Sequence, residues 1–112
     1  MKALGSHGET LTADYLQAEG YVILARNWRC ERGEIDIVAN DRKTLVFIEV
    51  KTRRTDHCGD GFAAVDTRKQ EKLRLLARHF IHQTGTTAHA YRFDVVAVDG
   101  NDGNITHLKN AF

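Results

Sequence analysis

The stretch Gly33-Glu-Ile-Asp-Ile-Val-Ala-Asn-Asp-Arg-Lys-Thr-Leu-Val-Phe-Ile-Glu-Val-Lys51 decides the fold. Side chains of an extended chain alternate between two faces. Its first half sets Ile35, Ile37 and Ala39 against Glu34, Asp36 and Val38. Its second half sets Leu45, Phe47, Glu49 and Lys51 against Val46, Ile48 and Val50. The polar residues Asn40 to Lys43 predict a turn between them, so the two strands should form an antiparallel hairpin. A four-residue loop pairs Ala39 with Thr44 and Asp36 with Phe47, which puts Asp36 on the face of Glu49 and Lys51, with Glu34 nearby. An odd loop would send Asp36 to the opposite face unless a bulge intervened. The second of these strands is expected at the centre of a sheet.

Outward from the hairpin, Leu11, Tyr15, Leu16 and Ala18 fall near helical spacing and predict a helix over about Ser6 to Glu19, stopped by Gly20. Tyr21 to Trp28, with Val22, Ile23 and Leu24, reads as a strand. Beyond the hairpin, Thr52 to Gly61 is polar and without apolar period, an expected exposed loop. Asp66 or Thr67 caps a second helix, Thr67 and Gln70 fit a capping box, and Leu73, Leu76, Ala77 and Phe80 form its apolar stripe. The stripe ends near Thr84-Gly85. Tyr91 to Val98 alternates as a strand, and Gly100 to Gly103 turns into a short last one at Asn104 to Leu108. The order α, β, β, β, α, β, β predicts an α/β protein, a mixed sheet flanked by helices. The 112 residues suit one domain, 1–112.

Hydrophobic residues at 42% and charged residues at 28% place the chain among folded soluble proteins. No apolar run approaches the roughly 18 to 20 residues of a membrane helix, and Met1 to Glu9 lacks the apolar core of a signal peptide, so no membrane and a cytoplasmic location are expected. Cys30 and Cys58 form no CxxC pair and read as reduced thiols. The net charge of +1 is uninformative, but from Lys51 to His82 eight Lys and Arg stand against four Asp and Glu. A locally basic middle beside an acidic remainder suits contact with phosphates.

Charged residues inside apolar strands are costly unless something pairs with them. Asp36, Glu49 and Lys51 therefore carry the chemical reading. Hard carboxylate oxygens suit Mg²⁺ or Mn²⁺, which can polarise a phosphodiester and acidify a water, and a neighbouring lysine can offset charge developing on the phosphoryl oxygens. Without chemistry, the same residues would serve as an ion pair holding the hairpin register, or as a solvated strand face.

Gly33-Glu-Ile-Asp36 followed by Leu45-Val-Phe-Ile-Glu-Val-Lys51 and Arg53 resembles the PD-(D/E)XK nuclease pattern, and specifically the YraN-type family of uncharacterised bacterial proteins. Gly8-Glu9, Gly20-Tyr21, Asn27-Trp28-Arg29, Ala64-Val65, Lys69-Gln70 and Arg92-Phe-Asp-Val-Val96 extend the likeness over nearly the whole chain. Ile35 stands where such nucleases often have proline. That family is similar to Holliday junction resolvases, and the resemblance implies a restriction-endonuclease-like αβββαβ core. It further implies a Mg²⁺- or Mn²⁺-dependent endonuclease on branched or structured DNA, working as a homodimer, with Glu9, Asp36 and Glu49 as metal ligands. Asp36, Glu49, Lys51 and Gln70 would be the catalytic set, with Lys69 a lesser candidate beside Gln70. The alternative is a non-catalytic nucleic-acid-binding module of the same fold.

Around this set, Arg53, Arg54, Arg68, Lys69, Lys72 and Arg78 are expected to meet a nucleic-acid backbone, against the blander reading of a solvated face. His79 and His82 share a helical face without a third ligand nearby. His57 and Cys58 are adjacent in a polar loop, and Trp28 and Tyr91 are candidates for base stacking or for the core. For the dimer, the third strand and the loop from Thr52 to Val65, with its apolar run Phe62 to Val65, are the expected contact, unless that run packs under the second helix.

Overall fold

A computed structural model describes the chain over residues 3–53 and 65–112. Helix α1 (Ala3–Ala18) leads into strands β1 (Val22–Cys30), β2 (Gly33–Asp41) and β3 (Thr44–Arg53). Helix α2 (Thr67–Thr84) and strands β4 (Ala90–Asp99) and β5 (Ile105–Leu108) follow. The strands form one sheet in the order β1-β2-β3-β4-β5, antiparallel except for the pair β3 and β4. Two parallel neighbours need a crossover, and the segment containing α2 is that crossover. The mixed α/β architecture expected from the element order is present, with β3 at the centre.

The helix ends follow local chemistry. At the end of α1, Gly20 takes φ 96°, its N–H donates to Gln17 O, and Tyr21 N donates to Leu16 O, the paired bonds of a Schellman stop. At the start of α2, the Asp66 carboxylate accepts from Lys69 N at 3.0 Å and is the N-cap. The Thr67–Gln70 capping box does not form, because Asp66 already occupies that position and Gln70 Nε2 donates instead to Val65 O at 3.1 Å. The helix closes at Gly85 with φ 67°.

Each face of the sheet carries a core. Ala13, Leu16 and Tyr21 pack with Ile37, Ala39, Val46, Ile48, Val96 and Val98 on one side. On the other, the predicted stripe Leu73, Leu76, Ala77 and Phe80 packs on Val38, Leu45 and Phe47. The faces of β3 are those expected from alternation. Trp28 meets Phe80 edge-on at 5.4 Å and belongs to the core rather than to a stacking surface.

The hairpin differs from expectation in its turn. Asp41 pairs with Thr44 and Ile37 with Ile48, so the turn has two residues, Arg42 and Lys43, not four. Arg42 adopts φ 62°, and Asn40 and Asp41 stay in the ladder because polarity does not prevent backbone pairing at a strand end. The register moves by two residues against the Ala39–Thr44 pairing. An even shift keeps the residues paired from Ile37 to Asp41 on their expected faces relative to β3.

One polar network lies inside the apolar layers. Asp94, with no exposed surface, accepts from Arg92 Nε and Nη2 (both 2.9 Å) and from Asn110 N (2.9 Å), and pairs with His107 Nε2 (2.7 Å). Tyr15 OH meets His107 Nδ1 at 2.8 Å. Arg92 also reaches Asp41 at 3.2 Å and Tyr21 OH at 2.7 Å. Elements distant in sequence are thereby tied to one carboxylate.

Candidate functional site

Asp36 sits where the alternation of β2 breaks. Ile37 and Ala39 enter the α1-side core as expected, but Ile35 lies in the α2-side core with Val38. This corrects the placement of Ile35 and Ile37 on one face. The neighbouring strand breaks at the same level. Arg26 and Trp28 are paired with Ile37 and Ile35, and between them Asn27 takes φ 53°. Arg26 reaches Thr10 of α1 at 3.0 Å, whereas Trp28 packs under α2. A left-handed residue rotates the following side chain off its face, so the disturbance is local to these two strands.

At the break, Asp36 Oδ2 accepts from Val50 N of β3 at 2.8 Å. Gly8 allows α1 to lie close against β3, since a Cβ there would collide with Thr52 Oγ1. The next residue, Glu9, thereby approaches the sheet. Carboxylate oxygens of Glu9, Glu34 and Asp36 lie within 4.8 Å of one another, all three groups partly buried. Among the described residues this is the one grouping of three or more acidic, His or Cys side chains with ligand spacing, so His79 and His82 acquire no third partner. Glu34 is also held by Arg29 of β1 at 2.9 Å.

Glu49, 7% exposed, lies on the α2 side of β3. Its Oε2 is 3.4 Å from Lys51 Nζ and 3.3 Å from Lys69 Nζ of α2. Burial, reinforced by the charge of Glu49 and then of Glu9 and Glu34, pushes the Asp36 carboxyl up to about 7 against the lowering effect of the Val50 N–H. Three acidic side chains thus influence one carboxyl group, and two ammonium groups stand behind them on Glu49.

The expected residues divide accordingly. Asp36, Glu49, Lys51 and Glu9 converge, but Glu34 rather than Glu49 completes the closest carboxylate trio. Gln70 bonds backbone near the start of α2, and Lys69 belongs with Glu49. Arg68, Lys69 and Lys72 line a cleft of about 440 Å³ between α2 and the start of β2, bordered by Gly33 and Glu34. Arg53, at the last position of β3 in register with Asp99, does not line it. Arg54, His57, Cys58 and Phe62 to Ala64 lie outside the described residues. Val65 is buried, and β3 is flanked by β2 and β4, so it presents no free edge as a dimer contact.

Sequence reasoning noted Glu34 only as a neighbour and assigned no role to Arg92, Asp94 or His107. The signal for Glu34 was its position two residues before Asp36 in a strand of fixed period. Nothing local signalled that the period breaks.

The fold and site define a mixed α/β protein with a carboxylate cluster and paired lysines at the rim of its central strands. The chain belongs to the family described as Uncharacterised protein family UPF0102, whose model matches residues 8–98. It is 42% identical to a UPF0102 protein of Desulfosudis oleivorans, over 96% of this chain and 88% of that one. It is 44% identical to one of Geobacter metallireducens (99% and 93%) and 41% identical to one of Pseudomonas syringae pv. syringae (96% and 91%). No helix among the described residues is long and apolar enough to cross a membrane.

Proposed function

We propose that the protein is a divalent-metal-dependent endonuclease acting on phosphodiester bonds of branched or structured DNA. The observation that carries this reading is the meeting of Glu9, Glu34 and Asp36 beside a carboxylate, Glu49, that is itself flanked by two lysines. An all-oxygen donor set of this kind fits Mg²⁺ or Mn²⁺, and its mutual repulsion is what a cation relieves. Glu9, Glu34 and Asp36 would hold the ion, with Glu49 next to them. The ion would polarise the phosphoryl group and acidify a water.

The chain's own residues do the rest. Lys51 and Lys69 present positive charge beside the carboxylates, where it offsets the charge that develops on the phosphoryl oxygens. Arg68 and Lys72 line the adjacent cleft and would meet the backbone of the same strand. The Val50 N–H fixes the orientation of Asp36. The alternative, a nucleic-acid-binding module without cleavage, draws on the salt bridges that already satisfy Glu49.

Cleavage of duplex, flap, three-way and four-way DNA should be screened with Mg²⁺ and Mn²⁺. Wild type is expected to cut at least one substrate, and Asp36→Ala to lose the activity. Lys51→Ala should depress cleavage while leaving DNA affinity largely intact, because its contribution is to the transition state. Equal cleavage by Asp36→Ala removes that residue from the mechanism. Binding by folded wild type with no cutting favours the binding module. Millimolar Mn²⁺ should also raise the melting temperature of wild type and not of Asp36→Ala.

A further inference from the structure

On the β4 flank of α2 lies a second opening, a groove of about 310 Å³ lined by Phe47, Ala77, Ile81, Tyr91, Arg74 and Arg78, with Phe93 at its end. Its floor is aromatic and aliphatic, two guanidinium groups border it, and no acidic residue lines it. A solvated helix face explains the arginines but not Tyr91, a large ring 48% exposed at the start of β4. We infer that this groove binds an unpaired nucleotide, its base stacked on Tyr91 and its phosphate on Arg78. The inference rests on the nucleic-acid reading above and specifies the substrate as carrying a single-stranded segment.

The chain itself displays the chemistry that one end of the groove accepts. Phe112 stacks on Phe93 at 5.1 Å with 24° between the rings, and Phe93 stacks in turn on Phe47 at 5.5 Å and 27°. The Arg74 guanidinium caps this stack, 5.2 Å from the centre of Phe112 and 5.9 Å from that of Phe93. Planar rings under a guanidinium are thus already accommodated there, and Tyr91, two residues before Phe93 on the same face of β4, continues the row into solvent. A base extends such a stack through its π-face, while the negatively charged backbone that follows it meets Arg78. An uncharged aromatic would leave the arginines unused, and a fully paired duplex would have no free base face to offer.

α2 runs between this groove and the carboxylate site. Lys69, near its start, touches Glu49, and Arg78 lies nine residues further on, about 13 Å along the axis. A nucleic acid engaging both would keep its unpaired segment within a few nucleotides of the carboxylates, an arrangement that favours branched over continuous duplex substrates.

The test is fluorescence anisotropy with labelled oligonucleotides in EDTA, comparing a single strand, a flap and a blunt duplex, for wild type, Tyr91→Ala, Tyr91→Phe and Arg78→Ala. Tyr91→Ala should weaken binding to the single strand and flap about five-fold or more, the loss of one stacked base. Duplex affinity should be unchanged within two-fold, and Tyr91→Phe should retain wild-type affinity. Arg78→Ala should weaken single-strand binding and reduce its salt dependence. Unchanged single-strand binding by both groove variants, or equal loss on duplex and single strand, overturns the groove assignment while leaving the cleavage site standing. No binding of any oligonucleotide by wild type at low salt overturns the nucleic-acid reading together with the groove. Circular dichroism confirms folding of each variant.

Discussion

Two aspartates, Asp94 buried and Asp36 half-buried, receive opposite treatment from the fold. Asp94 would be raised by burial alone, but hydrogen bonds from His107, Arg92 and the Asn110 N–H hold it below its ordinary value. Asp36 has one backbone donor and three acidic neighbours, and is pushed up to about 7. The first arrangement favours the charged group, and the second penalises it. Between about pH 4 and 7 the folded, metal-free protein retains a proton at Asp36 that the unfolded chain has released. Stability therefore falls as pH rises through that window and levels off above it. Asp36→Asn should flatten this slope and raise the melting temperature at neutral pH in EDTA. Melting curves of both proteins from pH 4 to 8 check it, and parallel slopes would place the pH dependence in other groups.

At the scale of elements, α2 couples packing to the site. Its buried stripe fixes its rotation on the sheet, and that rotation delivers Lys69 to Glu49 and Lys72 to the cleft. The Asp66 cap fixes where its first turn begins, through the Lys69 N–H. Asp66→Ala should cost about 1 kcal/mol, a fall of roughly 4–8 °C in melting temperature for a chain near this size. Asp66→Asn, which keeps an acceptor, should lose much less. Thermal melts of the two variants distinguish capping from a mere charge effect.

Across the whole molecule, the Asp94 network joins parts that the apolar layers alone would leave loosely tied: α1 through Tyr15, the end of β2 through Asp41, β5 through His107 and the C-terminal turn through Asn110. Removing the buried carboxylate leaves the half-buried Arg92 with only Asp41 and Tyr21 and takes an acceptor from the Asn110 N–H, a loss of roughly 3 kcal/mol. Asp94→Ala should lower the denaturant midpoint accordingly, with little change in slope. Because its carboxyl is held low, the stability it contributes is present above about pH 4 and fades as pH falls below that value, the reverse of Asp36. Denaturation of wild type and variant at pH 3 and pH 7 should show the difference between them shrinking in acid.

The sequence by itself determined the order of elements, both faces of β3 and the buried stripe of α2, because each rests on a period repeated within one segment. It also set Ile37, Val38 and Ala39 on their correct faces against β3 despite a wrong turn length, since the error was even and an even shift preserves the face. Only the tertiary structure decided that the alternation of β2 fails at Asp36, for that failure is matched by a left-handed Asn27 on a different strand. Only the tertiary structure gathered Glu9, Glu34 and Asp36, because Glu9 arrives on a helix that Gly8 allows to lie against β3. Periodicity reports which way a side chain points along its own strand, whereas the carboxylate cluster depends on how closely separate elements approach.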